Sequence, residues 1–283
     1  MQCFETQVDL QAHLAQVRHS GKTVGLVPTM GNLHAGHLSL VDAARAQSDY
    51  VLATIFVNPM QFGPEEDLDN YPRTLEDDLQ KLEEKSCDGV FIPPVAEMYP
   101  GGLENQTLVT VPGLSERHCG VSRPMHFGGV CTVVCKLFNL TKPDMAFFGE
   151  KDYQQLQIIR KMTADLCLPV NIIGVPTVRL PSGLAMSSRN NYLDKDLLEV
   201  APVLQATLQL TAEKLSQGRK DFDGLETEAK NTLQENGLKV DYFTICHAQT
   251  LEPATENDES LVILAATWLG PTRLIDNIRV VFD

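Results

Sequence analysis

Apolar runs closed by proline or glycine alternate with segments of helical period up to about residue 178 of the 283-residue chain. TVGLVPT (Thr23 to Thr29) has the apolar character of a buried strand, and Pro28 and Gly31 end the run. HLSLVDAARAQ (His37 to Gln47) repeats Leu38, Val41 and Ala44 near helical spacing. YVLATIFV (Tyr50 to Val57) is almost continuously apolar, as expected of a strand covered on both faces. A polar stretch, NPMQFGPEEDLDNYPRT, leads to a helix over about 75–85. DGVFIPP and QTLVTVP predict two short strands, GGVCTVVCKLFNL (Gly128 to Leu140) a helix, and DMAFFG (Asp144 to Gly149) another strand. EKDYQQLQIIRKMTADLC then predicts a helix, and VNIIGVPTVRL one or two strands. This alternation predicts an α/β fold with a doubly wound parallel sheet.

The pattern changes after Arg189. Two helices, about 194–217 and 222–236, precede three β-like runs, KVDYFTICHA, SLVILAATW and TRLIDNIRVVF. A smaller α+β C-terminal domain is expected, so the chain divides into domains 1–178 and 179–283. Composition then narrows the partners. The formal net charge is −14 and no basic tract offsets it, which argues against a nucleic-acid partner. No apolar run reaches the ~18 residues of a membrane helix. MQCFETQVDLQAHLAQ lacks the basic-then-apolar profile of a signal peptide. Seven cysteines, with no CxxC pair, suit a reduced cytoplasmic protein that uses them as small core residues.

Candidate chemistry concentrates where strands end. MGNLHAGH (Met30 to His37) places a glycine turn and two histidines between a strand and a helix. Such a turn aims backbone N–H groups and the positive end of a helix dipole above the sheet, a setting for phosphate. His34 and His37 share a helical face; no nearby Cys, Asp or Glu completes a zinc site. FGEKDYQQ (Phe148 to Gln155) repeats the strand–turn–helix order. Lys151 there can meet a phosphate and Asp152 a ribose hydroxyl, or the pair can be a solvated lysine and a helix cap. In RLPSGLAMSSRNN (Arg179 to Asn191), Ser187, Ser188 and Arg189 offer hydroxyls and a guanidinium for a polyphosphate, or form a polar linker. FVNPMQFGP brings Asn58 and Gln61 off a strand end, as neutral ligands for hydroxyl and carboxylate groups or as plain turn chemistry. Asp77 and Asp78, in a first helical turn, either hold a hydrated Mg²⁺ or oppose the helix dipole.

Together these blocks resemble one family. PTMGNLHAGH is similar to the HIGH signature of adenylyl-transferring Rossmann-like proteins, in the version carried by the pantoate–β-alanine ligase (pantothenate synthetase) family. FVNPMQFGP, YPRT, FGEKDYQQ and MSSRN, which stands where relatives have a KMSKS loop, follow in the family's order over about residues 20–195. The resemblance implies a ligase in which ATP activates the pantoate carboxylate as pantoyl adenylate, releasing pyrophosphate. The β-alanine amine then displaces AMP to give pantothenate. It implies an ATP site lined by Met30, Gly31, Asn32, Leu33, His34, Ala35, Gly36 and His37, with His37 in the family's proton-donor role. Gly149, Glu150, Lys151 and Asp152 would hold the nucleotide, Val178 the adenine side, and Met186, Ser187, Ser188 and Arg189 the polyphosphate. Gln61 and Gln155 would clamp pantoate, with Asn58 and Arg123 as further substrate contacts. Mg²⁺ accompanying ATP, a homodimer, and a C-terminal closing lid are also implied.

RPMHFGGV carries Met125 and Gly128 where relatives commonly show a glycine and a polar or charged residue, which bears on Arg123. Two other functions fit the residues less well. A nucleotidyltransferase acting on a coenzyme precursor would need an extra cationic pocket, which the neutral Gln61 and Gln155 do not supply. A nucleotide-sensing protein without catalysis would be expected to have lost Lys151, His37 or Ser187, and all three are present.

Overall fold

The computed structural model describes residues 1–64 and 66–282. They fold as two compact units, one of residues 1–150 and 155–176, the other of residues 151–154 and 177–283 with Asp283 outside the description.

In chain order the first unit contains β1 (Gln2–Phe4), α1 (Gln7–His19), β2 (Val24–Thr29), α2 (Ala35–Arg45), β3 (Tyr50–Ile55), α3 (Leu75–Glu84) and β4 (Gly89–Phe91). The short helices α4 (Val95–Met98) and α5 (Cys119–Ser122), then α6 (His126–Thr141) and β5 (Met145–Gly149), follow. Helix α7 (Tyr153–Asp165) and β6 (Asn171–Val175) complete the sheet order β1-β4-β3-β2-β5-β6. All its pairings are parallel, so this is the doubly wound α/β sheet that the alternation predicts. Chain order runs from β2 to β3 on one side, whereas β5 pairs β2 on the other. The strand order therefore reverses between β2 and β5, and ligands of such sheets bind outside the carboxyl ends of the strands there.

Burial explains why the strands read as apolar runs. Val27, Val51, Ala53, Val90 and Phe147 are sealed in one cluster with Leu40, Val41 and Ala44 of α2. Sequence and structure part at QTLVTVP, which forms no strand. Instead, Val109 N donates to Thr132 Oγ1 of α6 at 3.0 Å, so a helix side chain takes a bond that a neighbouring strand would otherwise supply.

The second unit contains α8 (Lys195–Val200), α9 (Val203–Ser216), α10 (Phe222–Glu235), β7 (Lys239–His247), β8 (Ser260–Leu269) and β9 (Thr272–Val281). The strands pair antiparallel in the order β7-β8-β9. Leu204, Leu208 and Leu215 of α9 and Leu225 and Leu233 of α10 pack against Phe243, Ile245, Leu261 and Ile263 of the sheet. The helix expected over 194–217 is broken into α8 and α9. Pro202 stands at the break, since a proline has no N–H for a helix interior.

All seven cysteines are free; Cys87, Cys119, Cys131 and Cys246 are buried, whereas Cys3 and Cys167 are exposed. Burial, reinforced by Cys135, pushes the Cys131 thiol up to about 12, leaving a protonated, inert group. No helix among the described residues is long and apolar enough to cross a membrane.

Candidate active site

The first unit places its candidate residues where β2 ends. Gly31 and Asn32 both take positive φ, +80° and 51°. Glycine has no Cβ to strain there, and asparagine tolerates the left-handed region better than most residues. A side chain at Gly31 would also press on Asp78 Oδ2 at 3.0 Å and on Ile55 Cγ2 at 3.1 Å. The turn is held from several sides. Asp78 Oδ2 accepts from Asn32 N at 2.8 Å and Oδ1 from Leu33 N at 2.7 Å. Thr74 Oγ1 donates to the same carboxylate at 3.3 Å, and Lys81 Nζ to the Leu33 carbonyl at 3.0 Å. Thr29 Oγ1 accepts from Gly31 N at 3.2 Å and donates to the Thr54 carbonyl at 2.7 Å. Leu33 is 3 % exposed and belongs to the core, so its side chain anchors the turn from beneath.

Both histidines cap α2. His34 is the N-cap: its Nδ1 accepts from Gly36 N at 3.1 Å, and His37 Nδ1 accepts from His34 N at 3.4 Å. A nitrogen that accepts carries no proton, so in the neutral ring each imidazole carries its proton on Nε2. The ring centroids lie 4.1 Å apart. The two rings thus stand together at the positive end of a helix.

Asn58 and Gln61 sit at the end of β3 in a short 3₁₀ turn, Pro59–Gln61. Asn58 is 1 % exposed, and protein groups engage both of its amide atoms. Nδ2 donates to Gln61 Oε1 (3.2 Å) and to the Gly129 carbonyl (3.1 Å), while Oδ1 accepts from Tyr99 OH (2.7 Å). Asn58 therefore orients the Gln61 amide, whose Nε2 lies 3.0 Å from Met30 Sδ. Gly129 is required there, because an added Cβ would collide with the Met60 carbonyl.

Arg123 is already gripped. Nε and Nη2 donate to the two Glu66 oxygens at 2.7 and 2.5 Å, and Nη1 lies 3.2 Å from His126 Nε2. His126 Nδ1 lies 2.9 Å from the Gln61 carbonyl, so α6 and the Gln61 turn are tied together. Burial alone would raise the Glu66 carboxyl, but the hydrogen bonds and charge of Arg123 outweigh it and hold it below the usual range. Met125 is exposed, and Gly128 faces the Leu108 side chain. Arg123 keeps its Glu66 partner with these two residues in place.

An added Cβ at Gly149, the last residue of β5, would meet nothing within 4 Å, so a ligand can approach its backbone closely. Gln155 is half-buried in α7.

The second unit carries the remaining candidates. Lys151 Nζ lies 3.7 Å from Asp152 Oδ2. Asn277 Nδ2 donates to the Lys151 carbonyl at 2.9 Å, and Tyr153 OH to the Ala248 carbonyl at 2.9 Å, fixing this short segment on its own unit. Residues 178–186 form a tight hairpin in which Met186 N donates to the Val178 carbonyl at 3.0 Å. The Pro181-Ser182-Gly183 turn closes it, with Gly183 at φ +93°. From the hairpin the chain passes to Ser187, which caps the turn Ser188–Tyr192 by accepting from Arg189 N at 3.3 Å. Buried Leu184 and Leu193 pin the two ends of this hydroxyl- and guanidinium-bearing segment.

The Mg²⁺ alternative for Asp78 does not hold, because both oxygens are engaged by the turn and the group is 1 % exposed. Asp77 is exposed and faces Lys81 at 3.9 Å. Among the described residues no cluster of three His, Cys, Asp or Glu could hold a metal ion. Sequence reasoning does not reach the supporting residues Thr29, Thr54, Thr74, Lys81 and Tyr99. Of these, only Thr74, directly before an acidic helix start, carries a local signal.

The family model described as Pantoate-beta-alanine ligase matches residues 2–279. The pantothenate synthetase of Marinobacter nauticus is 55% identical over 280 residues, 99% of each chain. That of Hahella chejuensis is 56% identical over 272 residues, 96% of each. Among solved structures, the pantothenate synthetase of Thermus thermophilus superposes with a TM-score of 0.92 at 44% identity, covering 98% of this chain and 99% of that one. A pantoate-beta-alanine ligase from Francisella tularensis, complexed with beta-gamma ATP and beta-alanine, gives a TM-score of 0.78 at 34% identity, covering 98% and 97%.

The geometry of Asp78 and of Glu66 can be tested directly. Asp78→Asn turns one acceptor into a donor facing a backbone N–H, and should lower unfolding free energy by ~1–3 kcal/mol and weaken ATP binding. Urea melts and nucleotide titration check this; wild-type values in both would contradict the anchoring role. Glu66 has a depressed carboxyl, so its ion pair stabilises above the ordinary glutamate value and is lost as pH falls through the folded value. The stability advantage of wild type over Glu66→Gln at pH 7 should therefore shrink below pH ~4.3. A gap independent of pH would disprove it.

Proposed function

The chain belongs to the pantoate–β-alanine ligase family, and from that premise we propose how its residues condense pantoate with β-alanine. ATP is a substrate of this ligase, and the relatives favour this reading over a coenzyme-precursor nucleotidyltransferase. In the first step a pantoate carboxylate oxygen attacks the α-phosphorus of ATP, and the bond to the bridging oxygen breaks to release pyrophosphate. In the second, the β-alanine amine attacks the acyl carbon of pantoyl adenylate and AMP leaves. Both steps need charge neutralisation and in-line placement more than a protein nucleophile.

The observation that carries the assignment is the pair of imidazoles whose Nδ1 atoms are committed to backbone N–H groups at the switch point of the sheet. Their Nε2–H groups suit phosphate oxygens whose charge grows as the P–O bond breaks. The backbone of Met30, Gly31, Asn32, Ala35 and Gly36 frames them, and Leu33 seats that frame. Gly149, Glu150 and Asp152 serve the nucleotide, Val178 the adenine side, and Met186 the turn that presents Ser187, Ser188 and Arg189 to the polyphosphate. Lys151 supplies countercharge. Gln61 and Gln155 clamp pantoate as neutral hydrogen-bonding groups, with Gln61 also near β-alanine. Asn58 and Arg123 act behind Gln61, because both are engaged by protein groups. Mg²⁺ would be held by the nucleotide phosphates and water, where it supplies further countercharge. Residues 1–178 and 179–283 are taken as the two functional domains, the active form as a homodimer, and the location as cytoplasmic. The seven free cysteines support that last assignment.

The purified chain should catalyse pantoate-dependent exchange of labelled pyrophosphate into ATP without β-alanine. No exchange at saturating Mg-ATP and pantoate would sink the two-step route. His37→Ala and Lys151→Ala should each slow adenylate formation ~100-fold, equivalent to ~3 kcal/mol. Wild-type single-turnover rates in either variant would remove that residue from the chemistry.

A further inference from the structure

Two neighbouring buried residues of β9, Asp276 and Asn277, reach the two segments of the second unit that carry candidate phosphate ligands. Asp276 of β9 has a side chain only 3 % exposed. Its Oδ2 accepts from Arg179 Nη1 at 2.6 Å and its Oδ1 from Arg179 Nη2 at 2.9 Å, a two-pronged pair. Arg179 Nη1 also donates to the Gly183 carbonyl at 3.1 Å, so the guanidinium braces the hairpin that leads into Ser187. The same Asp276 Oδ1 accepts from Asn277 N at 2.8 Å. Asn277 then donates its side-chain amide to the Lys151 carbonyl at 2.9 Å. Adjacent strand residues point to opposite faces, and here both are buried, so β9 reaches the hairpin with one side chain and Lys151 with the next.

Stability alone does not call for this arrangement. A buried ion pair loses much of its attraction to desolvation, and apolar residues of similar volume often serve a core as well. What the pair supplies is direction, since a guanidinium fork and a carboxylate admit one relative orientation.

We propose that Asp276, through Arg179 on one side and Asn277 on the other, positions Lys151 and the Ser187–Arg189 turn relative to each other for adenylate formation. This rests on the assignment of Lys151 and Ser187 to ATP. None of the three residues needs to meet substrate; they act through those that do. Misplacement of a charged group by a fraction of its hydrogen-bond length erodes transition-state stabilisation more than substrate binding.

A double-mutant cycle in the pyrophosphate-exchange assay tests this. Asn277→Ala should slow exchange ~10-fold through kcat, with the pantoate KM little changed, and should add less than ~2-fold on a Lys151→Ala background. Arg179→Lys keeps a charge beside Asp276 but not the fork, and should also slow exchange, which keeps the test open if Asn277→Ala does not fold. Equal losses in both backgrounds would show an independent structural role and overturn the proposal. So would wild-type exchange in Asn277→Ala or Arg179→Lys. Wild-type exchange in Lys151→Ala would instead overturn the underlying site assignment, a result the cycle reads separately.

Discussion

The carboxylate of Asp78 allows a strained turn to stand at the end of β2. Two successive residues, Gly31 and Asn32, hold positive φ, and the N–H groups of Asn32 and Leu33 point inward rather than into a helix or sheet. Buried amides without partners would cost more than the turn could bear. Asp78 meets both at once, from a position already at the N-terminus of α3 where a negative charge is favoured. Everything downstream depends on that fixed exit: the register of His34 as a cap, the direction of α2, and the seating of Leu33 in the core.

The same economy appears in the histidines. A capping serine or aspartate would satisfy the first turn of α2 equally well. Histidine satisfies it with one ring nitrogen, Nδ1, and in the neutral ring keeps its proton on the other. Asn58 and Gln61 act as a pair: the buried Asn58 amide is engaged by Tyr99, Gly129 and Gln61, and it holds the neighbouring amide in place. Neutral groups suit this spot, since a buried charge would demand a partner of its own. Arg123 illustrates that demand, because its guanidinium is matched by Glu66.

The glycine turn and the order of elements were legible in the sequence because they follow from local chemistry, whereas the capping of α2 by its two histidines was not. Glycine and asparagine mark positive φ, and apolar runs of strand length between helical segments imply a parallel sheet. The strand expected at QTLVTVP failed because its alternation is real but it pairs with no sheet edge; Thr132 supplies a bond instead. The single helix expected over 194–217 failed for a local reason, Pro202, that was present in the sequence and outweighed by periodicity.

What the sequence by itself determined is therefore the class of fold and the chemical types at each strand end: glycine turns, imidazoles, amides, hydroxyls and a lysine. Only the tertiary structure decided which of them are engaged by the protein itself. Asp78 and Asp77 are neighbours with the same side chain, yet one is buried against two backbone amides and the other lies in solvent. Asp276 and Arg179 stand 97 positions apart, and no periodicity links them. Local pattern reports what a residue can do, whereas burial and long-range hydrogen bonds fix what it does, because a polar group withdrawn from water must find its partner wherever the fold supplies one.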